Sequence, residues 1–139
     1  MIALDTNVLA HFYVEDERDT QAAKQRKIAL RIMQRSPSLY LPRTVVLELE
    51  WVMRGLYGFE VDLIARALEH LLGLPNIAVE DRDQVQSALE RMRQGVDFAD
   101  ALHLAASHHC SEMVTFDARR FAKRANRLGL KPRCSVPLR

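Results

Sequence analysis

Five acids in this chain stand in apolar settings. Asp5 ends the run MIALD, Glu48 lies in VVLELEWV, Asp97 and Asp100 in GVDFADALHLAA, and Asp117 in MVTFDARRF. Acids so far apart in sequence, each on a mainly apolar element, suggest a site for a hard cation. A carboxylate withdrawn from water is unfavourable unless it is paired or binds a metal. Two carboxylates about 4 Å apart repel by roughly 4 kcal/mol at an effective dielectric near 20. A divalent cation reverses that sign, and oxygen-only ligation selects Mg²⁺ or Mn²⁺ over zinc. No His/Cys cluster offers a rival site.

Each acid also has a plainer reading. Asp97 suits a helix N-cap and Asp117 could cap the helix that follows it. Glu48 could pair with Arg54 or another base on a helix surface, and of the two neighbouring glutamates Glu50 reads as the more solvated. Asp5 is read as buried and Asp100 as partly buried, and a buried Asp needs a partner. Asp97 and Asp100 are three apart and share a helix face. His103, three beyond Asp100, could face the same carboxylate, although hard cations prefer oxygen. Trp51 reads as core or as a dimer contact, and His11 and His70 carry little signal.

The elements that must hold these acids follow from short apolar runs alternating with helical patterns, an arrangement of βαβ units and a parallel sheet. Strands are expected at Ile2 to Leu4, which reads as buried, and at Ser38 to Leu41, Ile77 to Val79 and Met113 to Phe116, with the tail offering an edge strand around Cys134 to Val136. Helices are expected from Asn7 to about Val14 and from Asp19 or Thr20 to about Gln34, the latter stopped by Ser36-Pro37. Another should run from Pro42 or Arg43 to Gly55 or Gly58, and one from Glu60 to Leu72. Three more follow: Asp81 or Asp83 to Gly95, Asp97 to His108, and a basic helix from Ala118 to Leu128. The fold expected is an α/β three-layer sandwich, a short central parallel sheet of four or five strands flanked by helices, in one domain over residues 1–139. In such folds ligands bind at the carboxyl ends of the strands. If β-strands one and four were both central, Asp5 and Asp117 would share one rim.

The chain has 139 residues, enough for one domain with a real core, and 48% of them are hydrophobic. No apolar run is long enough to span a bilayer, and no export signal is visible. Cys110 and Cys134 are too few for a disulfide framework, which fits a reduced, cytoplasmic setting. The formal charge of +2 hides an asymmetry. All 18 acids lie at or before Asp117, and beyond it stand Arg119, Arg120, Lys123, Arg124, Arg127, Lys131, Arg133 and Arg139. A basic end on an acidic body suggests a polyanionic partner. It is also what a solvated helix face looks like, with cations near its C-terminus.

LDTNVL at Asp5, VVLELEWVMRGLYG at Glu48, DFADALHLAA at Asp100 and VTFD at Asp117 together resemble the PIN-domain ribonucleases, in particular the VapC type of toxin from bacterial toxin–antitoxin pairs. The resemblance covers essentially the whole chain. It implies a ribonuclease with Asp5, Glu48, Asp100 and Asp117 around Mg²⁺ or Mn²⁺, and Asp97 as an auxiliary acid. Thr6, Asn7 and Thr115 match polar positions that steady the site or bind phosphate. It further implies a homodimer inhibited by a small antitoxin that has a DNA-binding domain. Arg119, Arg120 and Arg124 are then candidates to track RNA phosphates.

Two other functions compete. One is a Mg²⁺-dependent phosphatase or phosphotransfer domain, which commonly has a second aspartate two residues after the first. Asp5-Thr6-Asn7 lacks it. The other is a non-catalytic module of the same fold, against which the complete set of acids argues.

Overall fold

The computed structural model describes residues 1–16 and 18–137, so Arg139 lies outside the described residues. The chain divides into two compact units, Met1–Arg82 and Asp83–Arg139. The elements are α-helices and short parallel strands, an α/β architecture. No helix among the described residues is long and apolar enough to cross a membrane.

The first unit runs β1 (Ile2–Ala3), α1 (Thr6–Tyr13), α2 (Thr20–Arg35), β2 (Leu39–Leu41), α3 (Arg43–Trp51), a π-helical turn at Val52–Leu56, α4 (Val61–Gly73) and β3 (Ile77–Val79). The strands are parallel in the order β1-β2-β3, with Ile2 opposite Leu39 and Leu39 opposite Ile77. Parallel neighbours need a crossover, and the intervening helices supply it. The Asp19 carboxylate caps α2 by accepting from the Gln21 N–H at 2.9 Å. The helix ends at Arg35, before Ser36-Pro37. In α4 the buried residues Ile64, Ala65, Leu68, Leu71 and Leu72 recur at helical spacing and form one apolar stripe. They join Leu9, Leu39, Leu41, Val46, Leu49 and Met53 in the buried set of this unit.

The second unit carries α5 (Arg82–Arg93), which starts at the boundary, then α6 (Phe98–Ala106), β4 (Glu112–Val114), a π-helical turn at Ala118–Ala122, α7 (Lys123–Arg127) and β5 (Arg133–Ser135). Leu89, Phe98, Leu102, Leu104, Phe121 and Ala125 are buried. The Asn126 amide holds β5 from both sides: it donates to the Cys134 carbonyl at 2.8 Å and accepts from the Cys134 N–H at 2.9 Å.

Four expectations are corrected. The strands do not form one sheet of four or five: β1, β2 and β3 make one, and β4 pairs in parallel with the tail strand β5 in a second. Pairing between remote segments leaves no local sequence signal, so the partition was not visible from the runs themselves. Neither β1 nor β4 is therefore a central strand. The first strand is not buried either, since it is an edge strand with Ile2 at 56% exposure. The basic segment after Asp117 is not a continuous α-helix but a π-helical turn followed by five residues of α-helix.

The fourth correction concerns the glutamates. Glu50, expected in solvent, is 2% exposed, and Glu48 is exposed. Residues two apart on a helix lie on nearly opposite faces, so one had to point inward. Burial of Glu50 is offset by Arg54, whose Nε and Nη2 donate to the carboxylate at 2.8 and 3.3 Å. Arg54 thus pairs with Glu50. Removing the cation would leave a buried charge unpaired, which is more harmful than removing both partners. Arg54→Ala should lower unfolding stability by about 3 kcal/mol, measured by urea denaturation. Glu50→Leu together with Arg54→Met should cost less.

Candidate functional site

The first unit gathers Asp5, Thr6, Asn7 and Glu48 on one open cavity of about 310 Å³. Asp5 directly follows β1 and Leu4, and its carboxylate caps α1 by accepting from the Thr6 N–H at 2.7 Å. That cap explains both its type and its exposure: Asp5 is exposed, not buried as its apolar neighbours suggested. Thr6 lies beside it, 6% exposed, with Oγ1 lacking any hydrogen-bond partner among the described residues. A buried hydroxyl left unsatisfied is unfavourable by about 1–3 kcal/mol. Asn7 is exposed on the same cavity. Glu48 reaches it from α3. Ala10, His11, Val52, Leu56 and Tyr57 complete the lining. Sequence reading passed over His11 and Tyr57. The spacing of Asn7 and His11, four apart on one helix, was the signal that could have found the first.

The second unit gathers Asp97, Asp100 and Asp117 electrostatically. The Asp97 carboxylate caps α6, accepting from the Asp100 N–H at 3.2 Å. That of Asp117 accepts from the N–H groups of Arg120 at 2.9 Å and Phe121 at 3.3 Å at the start of the π-helical turn. Both acids therefore have the capping role allowed for them. The Asp117 N–H in turn donates to Thr115 Oγ1 at 3.0 Å, and the Thr115 N–H to the Ser135 carbonyl at 3.0 Å. So Thr115 ties Asp117 to the β4–β5 sheet. Asp100 is half-buried in the first turn of α6. Its carboxyl is pushed above the ordinary value by burial first, then by the negative charges of Asp97 and Asp117, with His103 acting in the opposite direction.

Arg119, Arg120, Lys123 and Arg127 are exposed. Arg124 is exposed too but is tied to the backbone. Its guanidinium donates to the Gly95 carbonyl and lies over that glycine, whose φ is +96°. Trp51 is not core, being exposed and lying across Gly55.

Among the described residues, no three of the His, Cys, Asp and Glu side chains are arranged to hold a metal ion by themselves. The donor chemistry nevertheless fits Mg²⁺ or Mn²⁺. All the acids offer hard oxygens, and Mg²⁺ keeps several waters and takes as few as one or two protein carboxylates.

The sign of the Asp100 effect follows from linkage. The folded state holds this proton more tightly than the unfolded chain, so ionised Asp100 burdens the fold once the pH exceeds its raised value. Below the ordinary value of 3.8 the acid is protonated in both states and the burden vanishes. With chelator present, Asp100→Asn should therefore raise Tm at neutral pH, by on the order of 2 °C after solvent screening. The gain should disappear below pH 3.8. Thermal scans across pH check this, and a lower Tm at neutral pH would contradict it.

Compared with known proteins, residues 2–127 match the model of the PIN domain. No curated protein matches the chain.

Proposed function

The chain belongs to the PIN-domain family, whose members are typically nucleases, and from that premise we propose that it is a Mg²⁺- or Mn²⁺-dependent endoribonuclease and the toxin of a toxin–antitoxin pair. The observation that carries the metal-dependent reading is the half-buried Asp100 carboxyl, pushed up by burial first and then by the negative charges of Asp97 and Asp117. Such a group is poised for a cation. The toxin reading is supported by the VapC-like motifs LDTNVL, VVLELEWVMRGLYG, DFADALHLAA and VTFD in their order along a short chain. A small antitoxin with a DNA-binding domain, a homodimer and a cytoplasmic setting belong to the same proposal.

Asp5, Glu48, Asp100 and Asp117 would hold the cation, with Asp97 auxiliary. When bound, a divalent cation supplies activation of a water and neutralisation of charge on the scissile phosphate. The chain's own residues do the rest. The caps made by Asp5, Asp97 and Asp117 fix carboxylates to helix starts, so little reorganisation is needed when a charged ligand arrives. Glu48, exposed on its cavity, would hold a second metal or orient the attacking water. Asn7 and Thr6 offer hydrogen-bonding groups beside Asp5. Arg119 and Arg120, exposed just after Asp117, suit RNA phosphates.

Asp5→Asn separates catalysis from folding, because Asn caps a helix as well as Asp. The variant should keep its Tm within a few degrees and lose at least roughly a hundredfold in Mg²⁺-dependent RNA cleavage. Cleavage at the parental rate, or parental cleavage that persists in excess chelator, would reject the assignment. Replacing Arg119 and Arg120 with Ala should reduce the slope of log affinity for single-stranded RNA against log salt by about one. An unchanged slope, read by fluorescence anisotropy, would leave these arginines as solvated surface.

A further inference from the structure

The cavity that holds Asp5 and Glu48 has a second side that metal chemistry does not use. Val52, Leu56 and Tyr57 come from the π-helical turn after α3 and the residue following it, and His11 comes from α1. Leu56 and Tyr57 are 67% and 45% exposed. Tyr57 is nevertheless held in place. Its ring stacks on Phe59, with centroids 6.0 Å apart and planes 28° from parallel. Between the two rings Gly58 takes φ +66°, a turn that L side chains rarely adopt. A large aromatic ring kept at the surface of a cavity, and braced by another, is built to meet a flat ligand.

From this arrangement we infer that Tyr57, with His11 on the same cavity, forms a nucleobase-binding subsite next to the acids and sets which base occupies the position nearest the cleaved bond. The inference rests on the nuclease reading. Charge decides which part of a nucleotide belongs there. On the nuclease reading Asp5 and Glu48 are given over to the cation and the scissile phosphate, so the apolar and aromatic side of the cavity fits the uncharged base. Single-stranded RNA is read by stacking bases on aromatic rings and hydrogen-bonding their edges. The Tyr57 ring supplies the stack. A ring nitrogen of His11 can donate to or accept from a base edge. The same stretch also exposes Trp51, so a covering protein is the competing occupant. Such a partner would not require an aromatic ring on the cavity that contains the acids.

The test is a cycle of kcat/KM values on short single-stranded RNA oligonucleotides that the parent cleaves at one bond, intact or with a single abasic residue at each position in turn. Tyr57→Leu keeps apolar bulk but removes the stack, and Tyr57→Phe keeps the stack. On intact RNA, Tyr57→Leu should lose roughly five- to hundredfold, the value of one base stack expressed as a rate ratio, and Tyr57→Phe should stay within about twofold. At one position beside the cleaved bond, the abasic substitution should cause a similar loss in the parent and almost none in Tyr57→Leu. A purely structural role would instead lower every substrate alike. Parental rates for Tyr57→Leu, or losses that multiply independently at every position, would overturn the inference and favour a protein-facing surface. If the parent cleaves RNA while Tyr57 proves silent, only the base subsite falls. If the parent cleaves no RNA in Mg²⁺ or Mn²⁺, the nuclease reading falls and takes the subsite with it.

Discussion

A carboxyl that is half-buried and set beside two other acids is the constraint on which the candidate site in the second unit depends. Burial disfavours ionisation of Asp100 most, and Asp97 and Asp117 add to it. A protein held together by a small net free energy does not gain by crowding carboxylates for stability alone. The second unit tolerates the crowding because the acids also serve the backbone. Asp97 and Asp117 each satisfy N–H groups that a helical segment leaves open at its start. Asp5 does the same at the start of α1. Capping fixes a carboxylate in position, which a cation ligand needs.

The π-helical turn after α3 is the second organising feature. An inserted residue of this kind shifts the phase of everything downstream and recurs at functional sites. Upstream of it, Glu48 and Glu50 take opposite faces. Glu50 turns inward and is neutralised by Arg54, while Glu48 remains exposed on the Asp5 cavity. Within and just after the turn, Leu56 and Tyr57 reach that same cavity. One local irregularity thus accompanies both a buried ion pair and the aromatic edge of the cavity.

Much of this was legible in the sequence, for physical reasons. Breakers and apolar runs located β2, β3, α2 and α4 to within a residue or two, because Ser36-Pro37 and Gly73 leave the chain few alternatives. The left-handed glycines Gly58, Gly95 and Gly129 likewise fall at or near segment ends. The candidate acids could be picked out because Asp inside an apolar run needs a reason. What failed was whatever depends on distant parts of the chain or on helix phase. The two-sheet partition rests on β5 returning to β4. The inward turn of Glu50 depends on which face of α3 meets the core, which two nearby glutamates in an apolar helix do not reveal. Asp5 looked buried from its neighbours and is exposed because it caps a helix at an edge strand.

The Asp100 carboxyl itself gives the most direct reading of the central claim that these acids are assembled for a divalent cation. Carbon-13 NMR of the labelled side chain would follow its titration without metal and with saturating Mg²⁺. The account predicts a midpoint above the ordinary carboxylate value in chelator, falling on addition of Mg²⁺ as the cation takes the place of the proton. A midpoint that does not move with Mg²⁺ would contradict it.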